Sequence, residues 1–204
     1  MTAKLSGQDL TLFRGEKCLF KRLDFALNPG ELLLLEGANG SGKTSLLKAM
    51  LGMLELETGD VFWNGEPVRD QRQEFHGELV WMAHRVGFKG DLTLLENLEF
   101  ERALRPQRGD DIVSVLERLG IERLRQLPMR SLSAGQQRRA ALARMLIADV
   151  SLWMMDEPFT NLDRAGRALV LKLVREHLGR GGMCVMTAHQ DVEIEFPTHR
   201  IELQ

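Results

Sequence analysis

The chain reads as an α/β protein built on a mostly parallel sheet, with an N-terminal antiparallel β-subdomain and an inserted helical lobe. Three observations predict this. Leu32-Leu33-Leu34-Leu35 is an unbroken apolar run that leads into a glycine-rich segment and then a helical pattern. Toward the other end, a helix near 134–148, a strand at 151–155, a helix at 164–178 and a strand at 183–187 alternate as βαβ units do. Between these ends, residues 91–130 lose strand character and take up helical spacing.

In chain order, residues 8–13 and 18–27 alternate apolar and polar side chains, the pattern of half-buried antiparallel strands. Asn28-Pro29-Gly30 is a turn. Leu32 to Leu35 fits a strand buried on both faces. Ser45 to Leu51 follows as a helix, with Gly52 placed to cap its end. Residues 59–68, with Val61, Phe62 and Trp63 before Asn64-Gly65, suggest a hairpin, and Leu79 to Ala83 a further short strand. In the lobe, Leu94, Leu95 and Leu98, then Ile112, Val115, Leu116 and Leu119, recur at helical spacing, with Pro106 and Pro128 as breaks. The 204 residues predict one domain spanning 1–204, with the lobe at about 91–130.

Composition narrows the function classes. A hydrophobic content of 44% supplies a core, and a net charge of −2 argues against wholesale attraction to nucleic acid or anionic lipid. No run approaches ~18 apolar residues, so no membrane span is expected. The N-terminus lacks an apolar segment of the secretory kind. Cys18 and Cys184 lie far apart without metal or haem-attachment spacing and read as buried thiols in a reducing compartment.

Two motifs carry chemistry. In Gly37-Ala38-Asn39-Gly40-Ser41-Gly42-Lys43-Thr44, followed by Ser45 at the helix start, the glycines let successive N–H groups turn inward toward a polyanion. Lys43 adds a charge for the β- and γ-phosphates, and the Thr44 hydroxyl is a ligand for Mg²⁺. Leu152-Trp153-Met154-Met155 then ends in Asp156-Glu157. Two acids at the end of a buried strand are costly without a cation. Asp156 is suited to orient Mg²⁺ through a water, and Glu157 to polarise the water that attacks a γ-phosphate.

A third motif, Leu132-Ser133-Ala134-Gly135-Gln136-Gln137-Arg138-Arg139, places a capping serine and small residues at a helix start. It would serve as an ordinary helix cap, or its N–H groups and the Ser133 hydroxyl would hold a phosphate. With the phosphate loop and acid pair, it resembles the signature of the ATP-binding-cassette (ABC) ATPases, with Ala134 where glycine is usual. The resemblance spans nearly the whole chain and implies a P-loop NTPase of ABC type with ATP and Mg²⁺ as cofactors. It further implies a homodimer or paired cassette, in which Ser133, Gly135 and Gln136 close over ATP held by the other subunit. Thr160-Asn161-Leu162-Asp163 resembles the D-loop, which puts Asp163 at the subunit interface. Thr187-Ala188-His189 resembles the switch strand, which gives His189 a hydrogen bond to the γ-phosphate. The family's Mg²⁺-sensing glutamine is replaced by His84, followed by Arg85, so the resemblance puts His84 at the metal site with Thr44 and Asp156. For the adenine-stacking side chain, Phe13 and Arg14 both qualify, Phe13 also reading as a core residue.

Local strings narrow the resemblance. His84, Leu92-Thr93 with Glu96-Asn97-Leu98, Asp156-Glu157-Pro158-Phe159-Thr160, Gly181-Gly182 and Thr187-Ala188-His189-Gln190 are similar to the ATP-binding subunits of haem-exporter-type transporters of bacterial cytochrome c maturation. That implies an ATPase held peripherally by integral membrane subunits on the cytoplasmic side of the inner membrane, with haem-handling subunits as partners and no nucleic acid. The groove near His84 and the lobe would dock the membrane subunit. No residue pattern here shows haem itself. A lipid or lipoprotein exporter is the nearest alternative; a soluble ABC ATPase of nucleic acid or cofactor assembly is a more distant one.

Overall fold

The computed structural model describes residues 4–105, 109–188 and 196–204. The described chain opens with β1 (Leu5–Arg14), which turns back as antiparallel β2 (Lys17–Leu27). β3 (Leu32–Gly37) runs through the glycine-rich loop into α1 (Lys43–Met50). β4 (Thr58–Trp63) and the two-residue β5 (Glu66–Pro67) form the hairpin around Asn64-Gly65. Then come α2 (Arg72–Gly77), β6 (Leu79–Met82), α3 (Leu94–Ala103) and α4 (Ile112–Arg118), with 3₁₀ turns at Glu122–Leu124 and Met129–Ser131. The C-terminal half is α5 (Ala134–Ala148), β7 (Leu152–Met155), α6 (Arg164–Gly179), β8 (Met183–Thr187) and β9 (Thr198–Leu203).

The strands make an antiparallel sheet in the order β2-β1-β4-β5 and a parallel sheet in the order β6-β7-β8-β3-β9. Side chains of the parallel sheet alternate between two cores. Leu32, Leu34, Val80, Met82, Trp153, Met155, Cys184 and Met186 face the helical side, where α5 and the lobe pack. Leu33, Leu35, Leu79, Leu152, Met154 and Val185 face α1 and the antiparallel sheet. An apolar run covered on both faces therefore hides a strict two-residue period. Each fully buried leucine contributes about 1.5–3 kcal/mol relative to exposure.

The lobe is anchored on α5: Leu94, Leu98, Val115 and Leu116 share a core with Ala140, Ala141 and Met145. Its helices start on side-chain caps, a Thr93–Glu96 capping box for α3 and Asp111 for α4. Asn97 is buried and fastens the approach to α3, accepting from the Lys89 N–H and donating to the carbonyls of Lys89 and Thr93.

Three sequence expectations are corrected. Plain alternation fails in β1, where Leu10, Thr11 and Leu12 are all buried. Register shifts between Gly7 and Leu12, with Asp9 at φ 51°, insert bulges that turn neighbouring residues to one side. Cys18 is exposed, not buried, because it pairs with Phe13 beyond the end of the core; Phe13 is itself 43% exposed. Cys184 is buried, and burial raises its thiol far above the usual value. The sheet also has an edge strand, β9, that sequence reasoning missed. Its alternate residues Thr198, Arg200 and Glu202 are polar, so no apolar run marks it.

Candidate active site

Parallel register brings the motifs to one edge. Met82 pairs with Met155, Met155 with Met186, and Leu35 with Thr187. The glycine-rich loop, Ala83-His84 and Asp156-Glu157 just beyond these strands, with Thr187 at the end of β8, therefore meet at the carboxyl ends of the sheet, the usual ligand crevice of open α/β folds.

The loop between β3 and α1 is made by its glycines at two points. At Gly37, with φ 141°, a Cβ would lie 2.2 Å from the Leu203 carbonyl oxygen. Gly42, with φ 105°, heads α1 without a capping side chain. Ala38, Asn39 and Gly40 form the exposed rim, while Ser41 is buried with its hydroxyl lacking a partner. An unsatisfied buried hydroxyl inside a ring of backbone donors fits a phosphate group. Lys43 is 5% exposed and donates from Nζ to the carbonyls of Gly37 (2.7 Å) and Ala38 (2.9 Å). Burial lowers its pKa, opposed by the charges of Glu157 and then Asp156. Lys43, Thr44 and Ser45 line a cleft of about 440 Å³ with Arg14, His84 and Glu157. Arg14 thus borders the phosphate cleft, and Phe13 is not among its lining residues.

Asp156 is 2% exposed and accepts hydrogen bonds from Thr44 Oγ1 (3.0 Å to Oδ2) and Thr187 Oγ1 (3.0 Å to Oδ1). A hydroxyl beside a buried carboxylate is a hard-oxygen pair that fits Mg²⁺. Among the described residues, no group of three or more His, Cys, Asp or Glu side chains makes an all-protein metal cage. Glu157 adopts φ 51°, left-handed for a non-glycine residue. Its N–H donates to Thr187 Oγ1 at 2.8 Å, and its Oε2 accepts from Thr160 Oγ1 at 3.3 Å. His84 Nε2 stands 3.6 Å from the same oxygen, so His84 meets Glu157 at the mouth of the cleft.

Sequence reasoning named two contributors only within longer motifs and gave neither a role of its own. Thr187 ties Asp156 to Glu157; its signal was one hydroxyl ending the apolar run Met183-Cys184-Val185-Met186. Arg138 on α5 is 4% exposed and donates to the carbonyls of Glu157 (2.5 Å) and Ala83 (3.3 Å). Burial lowers its pKa, against the pull of Asp156 and Glu157.

The signature run lies elsewhere. Ser133 and Gln136 form the capping box of α5: the Ser133 N–H donates to Gln136 Oε1 and the Gln136 N–H to Ser133 Oγ. Ser133, Gly135 and Gln136 line a second cleft of about 800 Å³ with Asn161 and Asp163. A Cβ at Gly135 would stand 3.3 Å from the Asn161 carbonyl oxygen, so the two loops press together there. Asp163 caps α6 through the Gly166 N–H at 2.7 Å. None of Ser133, Gly135, Gln136 and Asp163 lines the phosphate cleft. His189 lies outside the described residues.

A family model described as ABC transporter matches residues 20–160. The chain belongs to the ABC transporter family. The cassette is 43% identical over 203 residues to the "Cytochrome c biogenesis ATP-binding export protein CcmA" of Methylococcus capsulatus, covering 98% of each chain. It is 39% identical to the protein of that name from Vibrio cholerae, covering 96% of each, and 42% identical to that from Pseudomonas aeruginosa, covering 94% of this chain and 95% of the other. Among solved structures, a putative ABC transporter ATP-binding protein from Pyrococcus furiosus superposes with TM-score 0.83 at 23% identity, covering 97% of this chain and 96% of that one. A nucleotide-free ATP-binding cassette from an ABC transporter gives 0.82 at 20% identity, covering 98% and 87%. At those identities the structures speak to the fold, the ABC ATPase cassette. The cassette is thus an ATP-binding subunit whose ATP hydrolysis is coupled to transport. No helix among its described residues is long and apolar enough to cross a membrane.

Proposed function

We propose that two copies of the cassette, or the cassette and a paired one, hydrolyse Mg²⁺-ATP head to tail while bound to integral membrane subunits. The transport they drive serves haem delivery in cytochrome c biogenesis, from the cytoplasmic face of the bacterial inner membrane. One observation carries the paired site: Lys43, Thr44 and Glu157 line one cleft, and Ser133, Gly135 and Asp163 line another on the same chain. Each cleft is half of a phosphate site. The curated relatives' names support the cytochrome c assignment. The unit is the whole 1–204 cassette, with the lobe at 91–130 as its docking arm. A groove of about 320 Å³ lined by His84, Val86, Phe88, Met129 and Gln137 suits a membrane subunit's helix.

In this reading the loop amides and Lys43 hold the β- and γ-phosphates. Thr44 and Asp156 would hold Mg²⁺, which would supply neutralisation of phosphate charge. His189, from the switch strand, would meet the γ-phosphate. Glu157 accepts a proton from the attacking water. The water oxygen bonds to the γ-phosphorus, the bond to the bridging oxygen breaks, and ADP leaves with the electron pair. Thr160 donates to the Glu157 carboxylate, and His84 stands beside it at 3.6 Å.

Glu157→Gln tests the site. We expect ATP binding to persist, turnover to fall roughly 100-fold or more, and a dimer to accumulate in Mg²⁺-ATP by sedimentation. A variant that turns over normally removes Glu157 from the chemistry. Purification of the intact complex from membranes tests the cargo: haem-handling subunits should travel with the cassette, and lipid-handling ones would redirect the assignment.

A further inference from the structure

We propose that Arg138 is a positioning residue that links the two ATP sites of the pair, by tying the helix that carries Ser133 and Gly135 to the main chain of Glu157. This rests on the paired-site reading above and on Glu157 as the proton acceptor.

The geometry is specific. Glu157 holds a left-handed conformation that an L-residue keeps only when its surroundings enforce it. Its N–H is held by Thr187 Oγ1 and its carbonyl by Arg138. The second arm of Arg138 holds the carbonyl of Ala83, the residue before His84, and His84 in turn faces the Glu157 carboxylate. One buried guanidinium therefore fixes both walls around the reacting carboxylate. Its planar fork reaches the two carbonyls through separate nitrogens, Nη1 to Ala83 and Nη2 to Glu157, and carries a positive charge to both.

Arg138 belongs to α5, which starts at the Ser133 cap. At a rise of 1.5 Å per residue, Ser133 and Arg138 are roughly 7.5 Å apart along one rigid helix. The start of α5 lines the cleft that would receive the partner's nucleotide, while Arg138 grips the residues that act on the cassette's own nucleotide. A shift of α5 on engaging the partner's ATP is thereby delivered to Glu157 and His84 of the same chain. Each subunit's carboxylate reads whether its own signature helix is engaged, and hydrolysis at the two sites becomes cooperative.

The test uses the full chain, with steady-state ATPase rates, nucleotide affinity and melting temperature measured together. Arg138→Gln keeps a neutral amide donor but removes the charge and the two-nitrogen fork that reaches Ala83 and Glu157. We expect kcat to fall about 10- to 100-fold with ATP affinity and KM within twofold of wild type, loss of cooperativity in the ATP dependence, and partial recovery of kcat in Arg138→Lys. Hydrogen exchange should rise at the amides of Glu157 and of 159–161 and stay unchanged in α1. A kcat within twofold of wild type overturns the proposal, as does a fall in kcat matched by an equal loss of ATP affinity. Should Arg138→Gln fail to fold, Arg138→Lys carries the test alone: a wild-type kcat and cooperativity overturn the link. Glu157→Gln run in parallel separates the failures. If it hydrolyses ATP normally, the site reading falls; if it is inert while Arg138→Gln is normal, only the link falls.

Discussion

Thr187 Oγ1 donates to Asp156 Oδ1 at 3.0 Å and itself accepts from the Glu157 N–H at 2.8 Å. One side chain of β8 thus orients the two acids at the end of β7. Replacing it with the isosteric Thr187→Val removes the donor and leaves the Glu157 N–H without that acceptor, a cost of about 1–3 kcal/mol. ATPase turnover should drop roughly tenfold or more, and the Mg²⁺ concentration for half-maximal rate should rise. A magnesium titration of the purified variant checks both.

Lys43 is folded onto the carbonyls of its own loop and buried. Lys43→Ala removes the buried cation that sits on the carbonyls of Gly37 and Ala38. Nucleotide binding should weaken by at least tenfold and hydrolysis should vanish, measured by equilibrium titration with a fluorescent ATP analogue and by phosphate release. Undiminished turnover would contradict the assignment of the cleft.

Ser133 is exposed at the head of α5, in a cleft separate from the phosphate loop. Ser133→Arg places bulk and charge where the partner's nucleotide would sit. Hydrolysis should fall to background while the one-to-one affinity of the monomer for ATP stays unchanged, as calorimetry would report. An equal loss of monomer affinity would mean that the signature serves its own nucleotide.

His177 on α6 stacks on Trp153, with ring centroids 4.2 Å apart, and its Nε2 lies 3.1 Å from the Met183 carbonyl oxygen. Burial lowers its pKa to about 4, only partly offset by hydrogen bonds to the Met183 and Ser151 backbone. The unfolded chain, with histidine near 6.5, binds the proton more readily. The neutral ring therefore favours folding above that pH, and stability declines as pH falls from about 6.5 to about 4, by roughly 2–4 kcal/mol in total. His177→Phe keeps the stack and should flatten this part of the pH–stability curve, followed by urea unfolding between pH 4 and 7.

The strongest sequence signals were those with a local cause. The capping serine at 133 and the glycines of the phosphate loop announce helix starts and turns within a few residues, and the structure has them there. The bulges of β1 were invisible because register with β2 and β4 decides which side chains turn inward. β9 was missed because an edge strand alternates with polar residues and shows no apolar run. Arg138 was read only as part of a motif, since its partners Ala83 and Glu157 are far away in sequence.

By itself the sequence determined the α/β class, the phosphate loop, the acid pair and the family resemblance, because each depends on residue types at short spacing. Only the tertiary structure decided that Thr187 and Arg138 hold the acids, that Arg14 rather than Phe13 borders the phosphate cleft, and that the signature opens a cleft of its own. Those facts follow from strand order and parallel register, which join segments more than a hundred residues apart, such as Thr44 and Asp156. Long-range pairing of that kind is set by packing two sheet faces against two cores, and no local pattern encodes it.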